Sequence, residues 1–395
     1  MSKKKIYILL LTLSVGGAER HASSIANYLS DLGYDVSILL LSNGFVDYHL
    51  NEDIDVVDLS KIEFPDSVLK VNTVQKVRLK FYKTISDEKF KWYDQKMYVL
   101  NTFVKKTEYY LSKQKNIENS LVISFLSQPN ISACYGKKKC GYKVIMAEFA
   151  SPKNEFVENA PENKLKQRYF KLCDGFIFQT EEQRDFYHYL KNTKTRIIPN
   201  PIEQIDVKSS GNRNKEIVNF CRLSTAKNIP LLVDAFALLH REYPEYKLVI
   251  YGEGPEKQNI LNCISECNLN ESVEIRPFAS NVLELVCDCG MFVSSSDREG
   301  ISNSMIEAMA IGMPTICTDC PAGGARMFIK PYENGILTPV GDAQALYKAM
   351  KYMIENPDKA EQMGKNAMEI RETLKKEKIL AQWADFIREV IKNDE

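Results

Sequence analysis

Several things are missing from this 395-residue chain, and each absence removes a class of protein. No run of about 18 apolar residues exists, so nothing is expected to span a membrane as a helix. The glycine spacing of a dinucleotide fingerprint, G-x-G-x-x-G, is absent, which argues against a nicotinamide enzyme. Charge is balanced, with 52 Lys+Arg against 52 Asp+Glu, and no recognition motif accompanies it, so nucleic acid is not an expected partner. Ten cysteines are present, yet Cys317 and Cys320 have no second pair at zinc-ribbon spacing. Reduced, packed thiols are the expected state. Met1 to Lys5 followed by Ile6 to Leu13 has the outline of a signal peptide. Its apolar run is short, however, and Ser14-Val15-Gly16-Gly17 turns into a polar helix, so Ile6–Leu10 reads as a first buried strand.

What is present is an alternation. Short apolar runs at 5–12, 36–41, 54–59, 121–126, 143–147, 175–179 and 195–198 alternate with amphipathic helical patterns. The same holds for 216–221, 247–251, 272–276, 290–295 and 314–318. Strands alternating with helices imply an α/β protein with parallel sheets covered by helices. The length suits two domains, and Pro199-Asn200-Pro201 followed by a polar stretch marks the boundary. The expected division is a Rossmann-like domain over 1–200, a linker over 201–214, a second Rossmann-like domain over 215–375 and a C-terminal helix over 376–395. Two such domains leave a cleft between facing strand ends, where ligands bind in open α/β sheets.

The stretch Ser294 to Ala310 is the most informative. An apolar strand, Met291-Phe292-Val293, leads into a polar turn and then a helical pattern carried by Met305, Ile306 and Met309. The free amides of a helix N-terminus bind anions. Two carboxylates, Glu299 and Glu307, bracket the turn and can only accept hydrogen bonds, which suits sugar hydroxyls. Spacing alone is uninformative, since Glu245/Glu253 and Glu266/Glu274 repeat it. With strand before and helix after, the block resembles the Glu-x7-Glu donor motif of the retaining glycosyltransferase family 4, which has the GT-B fold.

Other blocks carry the same resemblance. Gly16-Gly17-Ala18-Glu19-Arg20 resembles that family's first loop, where glycine amides approach the donor phosphate or the acceptor. Arg222-Leu223-Ser224-Thr225-Ala226-Lys227 resembles its Gly-Arg-Leu-x-x-x-Lys-Gly block, with Cys221 and Asn228 in place of the two glycines. Two preplaced cations stabilise the charge gathered by a departing diphosphate, so no metal or other cofactor is expected. The resemblance implies Arg222, Lys227 and Glu299 as catalytic residues. It implies Gly16, Gly17, Phe278, Gly300, Ile301, Ser302, Asn303 and Glu307 as donor-binding, and Arg20, His21 and Glu148 as facing the acceptor. Where many members place a histidine near the transferred sugar, this chain has Phe149, and a general-base histidine is not expected.

The resemblance implies a retaining transfer of a hexose or N-acetylhexosamine from a UDP-sugar. The implied acceptor is a growing, polyprenyl-diphosphate-linked glycan in bacterial surface polysaccharide or capsule synthesis. A GT-B epimerase and a non-catalytic partner subunit are the alternatives. Residues 62–119 interrupt the alternation, and Lys70–Lys96 holds eight Lys/Arg against three Asp/Glu, interleaved with aromatics. Two readings of it stand side by side: a surface for anionic membrane, and a solvated helix pair covering the sheet. The expected location is the cytoplasm, at the inner face of the cell membrane under the first reading.

Overall fold

Residues 3–14, 16–42, 46–69, 88–149, 161–190, 193–207 and 209–392 are described by a computed structural model. Within them β1 (Lys5–Leu10), β2 (Asp35–Leu40), β3 (Asp55–Asp58), β4 (Leu121–Phe125), β5 (Lys143–Glu148), β6 (Gly175–Phe178) and β7 (Lys194–Ile197) form one parallel sheet, in the order β3-β2-β1-β4-β5-β6-β7. The register places Ile6 opposite Val36 on one side and Leu121 on the other. The second sheet joins β8 (Glu216–Phe220), β9 (Lys247–Tyr251), β10 (Val273–Arg276), β11 (Met291–Ser294), β12 (Thr315–Thr318) and β13 (Ile336–Thr338) in the order β10-β9-β8-β11-β12-β13. Strand order therefore reverses at β1/β4 and again at β8/β11. Outside the carboxyl ends at such a reversal the chain leaves in opposite directions and opens a crevice.

The central strands are buried on both faces because their side chains alternate between two apolar layers, while the edge strands β3, β7 and β10 are partly exposed. Ile6, Ile8 and Leu10 enter one cluster, Tyr7 and Leu9 another. The labelled helices are α1 (Gly17–Asp31), α2 (Glu88–Ser112), α3 (Ser127–Cys140), α4 (Ile229–His240), α5 (Lys257–Glu266), α6 (Asn303–Ala310), α7 (Ala343–Glu355) and α8 (Lys376–Ile391). Leu100, Val104 and Leu111 of α2 join Ile131, Ala133 and Cys134 of α3 against one face of the first sheet. In the second domain, Leu232, Val233 and Phe236 of α4 pack with Leu346 and Met350 of α7. No helix among the described residues is long and apolar enough to cross a membrane. Residues 70–87 of the basic segment lie outside the described residues, and so do the side chains of 88–98.

The chain crosses between the domains twice, and the two crossings touch. Ile202 pairs with Lys375, and its N–H donates to the Leu374 carbonyl at 2.8 Å. From there α8 lies on the first domain. Trp383 stacks on Phe125 with ring centroids 5.7 Å apart, and Lys143 donates to the Val390 carbonyl at 2.8 Å. Glu389 takes an ion pair from Arg196 at 2.7 Å. One apolar cluster runs through both domains, from Ile6 and Ile123 through Trp383 and Phe386 to Phe220, Phe292 and Met305.

Candidate active site

At the reversal of the second sheet, the loop leaving β8 and the loop leaving β11 are tied together. The Ser295 hydroxyl is shared between the carbonyls of Lys227 at 3.0 Å and Asn228 at 2.9 Å. Asp297 N–H donates to the Ala226 carbonyl at 2.9 Å, and the Asn228 amide donates to Asp297 Oδ1 at 2.9 Å. Asn228 adopts a left-handed backbone, φ 42° and ψ 50°. Asparagine tolerates that region better than other non-glycine residues, so it supplies the turn where the resembled motif has glycine. These ties fix Lys227 beside Glu299, and the two form an ion pair. Burial alone would lower the Lys227 ammonium, but the Glu299 carboxylate and neighbouring Cys221 outweigh it and raise its pKa. Arg222 is exposed on the same loop.

Glu299 is held through its backbone as well. Its N–H donates to the Pro321 carbonyl at 2.7 Å, and its carbonyl accepts from Ala322 at 2.8 Å. The next residue, Gly300, is pinned between both domains: a Cβ there would lie 2.8 Å from Gln179 Oε1 and 2.9 Å from the Phe149 carbonyl. A Cβ on Gly324 would overlap the Gly300 carbonyl. Only chain without side chains passes here. Ile301 is buried, and the Ser302 hydroxyl then caps α6 by accepting from Met305 N–H at 3.4 Å.

From across the cleft, the first loop of the first domain meets the first turn of α6. A Cβ on Gly17 would sit 3.4 Å from Asn303 Nδ2. Gly16 is clamped by Tyr48, which accepts its N–H at 2.9 Å and donates to its carbonyl at 2.8 Å. Arg20 reaches Glu307, Nη2 to Oε1 3.6 Å. Burial raises the Glu307 pKa, and the Arg20 guanidinium works against that rise. Phe278 stands 70% exposed on the loop after β10, on the same carboxyl edge of the second sheet. An aromatic face left in water at that edge is available for stacking.

Two of the residues expected at the acceptor are placed elsewhere. His21 is only 4% exposed and sits in a pocket lined by Ile25, Phe149, Pro199, Ile379, Leu380 and Trp383. Burial, with Arg20 and Lys376 nearby, pulls its pKa down to about 3, so it is neutral at ordinary pH. Its ring centroid is 5.5 Å from that of Phe149, which stacks in turn on Phe125. Glu148 closes β5 with 1% exposure. Both side chains are buried, and Phe149, Trp383 and the Pro199–Pro201 crossing enclose His21.

One residue at the heart of the closure was read from sequence only as linker. Asn200, 5% exposed between its two prolines, donates to Asn303 Oδ1 at 2.9 Å and accepts from Gln179. The signal available was an amide side chain fixed between two rigid residues. The chain also contains an Asp-x-Asp, Asp53-Ile54-Asp55, the usual metal–diphosphate handle of another transferase fold. It lies at the amino end of edge strand β3, with Asp53 accepting from Ser30 at 2.6 Å, and so faces away from the cleft.

Comparison with known proteins bears on the fold and the enzyme class. The family model "Glycosyl transferases group 1" matches residues 202–370. An uncharacterized glycosyltransferase of Haemophilus influenzae is 25% identical over 389 residues, covering 97% of this chain and 100% of that one. The N-acetylgalactosamine-N,N'-diacetylbacillosaminyl-diphospho-undecaprenol 4-alpha-N-acetylgalactosaminyltransferase of Campylobacter jejuni is 28% identical over 373 residues, 93% of this chain and 94% of that one. Among solved structures, HepE of Anabaena in complex with UDP and glucose superposes with a TM-score of 0.74 at 18% identity, covering 98% of this chain and 100% of that one. The second domain is thus similar to the glycosyl transferases group 1 over residues 202–370, and the chain is a glycosyltransferase with the two-sheet architecture of the GT-B fold.

Proposed function

We propose that the protein transfers a hexose or N-acetylhexosamine from a UDP-sugar, with retention, to a polyprenyl-diphosphate-linked glycan. The observation that carries this reading is the meeting of three features at one sheet reversal. They are the Lys227–Glu299 pair with Arg222 on the adjoining loop, the capped start of α6, and Glu307 one turn further in. In this reading the diphosphate lies along the amides at the start of α6, with Arg222 and Lys227 on its oxygens. Glu307 accepts the ribose hydroxyls, and the uracil packs near Phe278. Glu299 turns from Lys227 toward the sugar as Lys227 takes the phosphate. In this reading the protein is a glycosyltransferase of family 4.

The bond from sugar C1 to the β-phosphate oxygen breaks, and its electron pair stays on that oxygen. An acceptor hydroxyl bonds to C1 from the same face and gives its proton to the departing phosphate. No protein nucleophile takes part. The chain's contribution is alignment of the reactants and stabilisation of the leaving charge by fixed cations, so no metal is required.

The UDP seen with HepE supports the donor class, and the diphospho-undecaprenol substrate named for the Campylobacter relative supports a lipid-linked acceptor. A cytoplasmic place at the membrane's inner face, within surface polysaccharide or capsule synthesis, follows from that acceptor. The test is incubation of purified protein with a panel of UDP-sugars and a polyprenyl-diphosphate-linked oligosaccharide. UDP release should accompany a product one sugar heavier, with the donor's anomeric configuration by NMR. A product of inverted configuration overturns the mechanism, and transfer only to acceptors lacking the lipid diphosphate overturns the acceptor.

A further inference from the structure

On the outer side of the second domain, three metal-binding side chains converge that the transfer does not use. Asp234 is exposed on the second turn of α4. Cys263 and Cys267, both half-buried, lie four residues apart on α5 and its C-terminal cap, and so share one helix face. Cys263 Sγ is 3.8 Å and Cys267 Sγ 3.9 Å from the same oxygen, Asp234 Oδ1. One ligand atom from each residue falls within 4.8 Å of the others. A tetrahedral zinc ion with bonds of about 2.3 Å to sulfur and about 2.0 Å to oxygen holds neighbouring ligand atoms roughly 3.5–3.8 Å apart. The three side chains thus stand close to ligand spacing before any ion arrives.

We propose that Asp234, Cys263 and Cys267 form a zinc site that ties α4 to α5, with water as the fourth ligand. Two sulfurs and one carboxylate favour zinc over magnesium or calcium, which prefer sets made of oxygen alone. Burial and the Asp234 charge hold the thiols protonated in the free protein, Cys263 at about 12, so zinc must displace their protons. The ion's effect is on the second domain's frame. α4 begins right after Lys227-Asn228, and α5 follows the loop leaving β9, so the ion would brace two helices that rise from the donor side.

Reduced full-length protein, freed of metal by chelator and gel filtration, is titrated with zinc against a chromophoric chelator. One zinc per chain should bind and raise the thermal midpoint, and cobalt should give the absorption band of thiolate coordination. The double variant C263S/C267S should lose the zinc and the cobalt band. D234A, which keeps both thiols, should bind more weakly by at least the roughly 10–100-fold seen for loss of an outer-shell partner. C287S, which removes another half-buried thiol, should bind as the parent does. Sugar transfer should be the same in D234A as in the parent. Zinc binding unchanged in D234A, or no binding by the parent, overturns the site, and D234A keeps the test open even where the double variant does not fold.

Discussion

Lys227 and Arg222 play different parts although both are cations on one loop. Lys227 is largely buried and already engaged with Glu299, whereas Arg222 stands in solvent, ready for an incoming anion. Lys227→Ala or Arg222→Ala should each lower turnover by roughly 10²–10³, the scale of one lost donor to a developing anion. Stopped assays of UDP release on folded protein check this, and near-normal turnover in Lys227→Ala rejects the assignment. The two glutamates should separate kinetically. Glu307 sits inside α6 facing Arg20, so Glu307→Gln should chiefly raise the donor KM. Glu299, whose backbone is fixed by Pro321 and Ala322, should act on the reacting centre, so Glu299→Gln should chiefly lower kcat. The reverse pattern exchanges their roles. That these residues would gather at one strand–turn–helix junction was legible, because strand, turn and helix start are local signals carried within a few positions. The burial of His21 was not, because what covers it comes from Phe149, Pro199 and Trp383, far away in sequence.

The strands were legible at the scale of elements for a related reason. A parallel strand buried on both faces is an unbroken apolar run, and Ile6–Leu10 or Met291–Val293 announces itself. β13 escaped notice because it is three residues long, Ile336-Leu337-Thr338, bounded by Gly335 and Pro339. How elements dock is a separate matter, and α1 against α8 shows its consequence for pH. His21 of α1 lies under Ile379, Leu380 and Trp383 of α8. Its pKa in the fold is about 3, below the ordinary 6.5, so the unfolded chain binds the extra proton first as pH falls. His21 therefore contributes its full share above about pH 6.5, and that share declines as pH drops from 6.5 toward 3. Urea midpoints between pH 7 and pH 5 should fall in the parent and fall less steeply in His21→Leu. Equal slopes in both would show that His21 does not govern the decline.

Across the whole molecule, closure and charge follow from how the two halves are joined. Asn200 is a single side chain that touches the first domain at Gln179 and the second at Asn303. Removing it leaves buried polar partners unpaired, which costs about 1–3 kcal/mol. Asn200→Ala should thus lower the thermal midpoint and raise the donor KM, because Asn303 opens the helix proposed to meet the diphosphate. An unchanged KM in a destabilised variant would make Asn200 a purely structural link.

Charge is distributed as unevenly as the contacts. Residues 1–200 carry 30 Lys+Arg and 23 Asp+Glu, a surplus of seven positive charges, and residues 201–395 carry 22 and 29, a surplus of seven negative. An acceptor on a polyprenyl chain must be met at a lipid surface, and the domain proposed to receive it is the positive one. The described part of α2 packs into the sheet through Leu100, Val104 and Leu111, so that portion serves the core rather than a membrane. What remains for lipid is the run from Lys70 to Lys96, where eight basic residues outnumber three acidic ones. Each basic residue near an anionic surface contributes on the order of 1 kcal/mol, and the attraction falls off within a Debye length. The protein should therefore sediment with vesicles containing phosphatidylglycerol and not with neutral ones, and binding should drop as salt rises. Replacing Lys76, Arg78, Lys80 and Lys83 with glutamine should abolish sedimentation while leaving transfer to a soluble, short-chain acceptor unchanged. Equal binding to neutral and anionic vesicles would make the run a solvated face, and the acceptor would then have to be reached through the cleft alone.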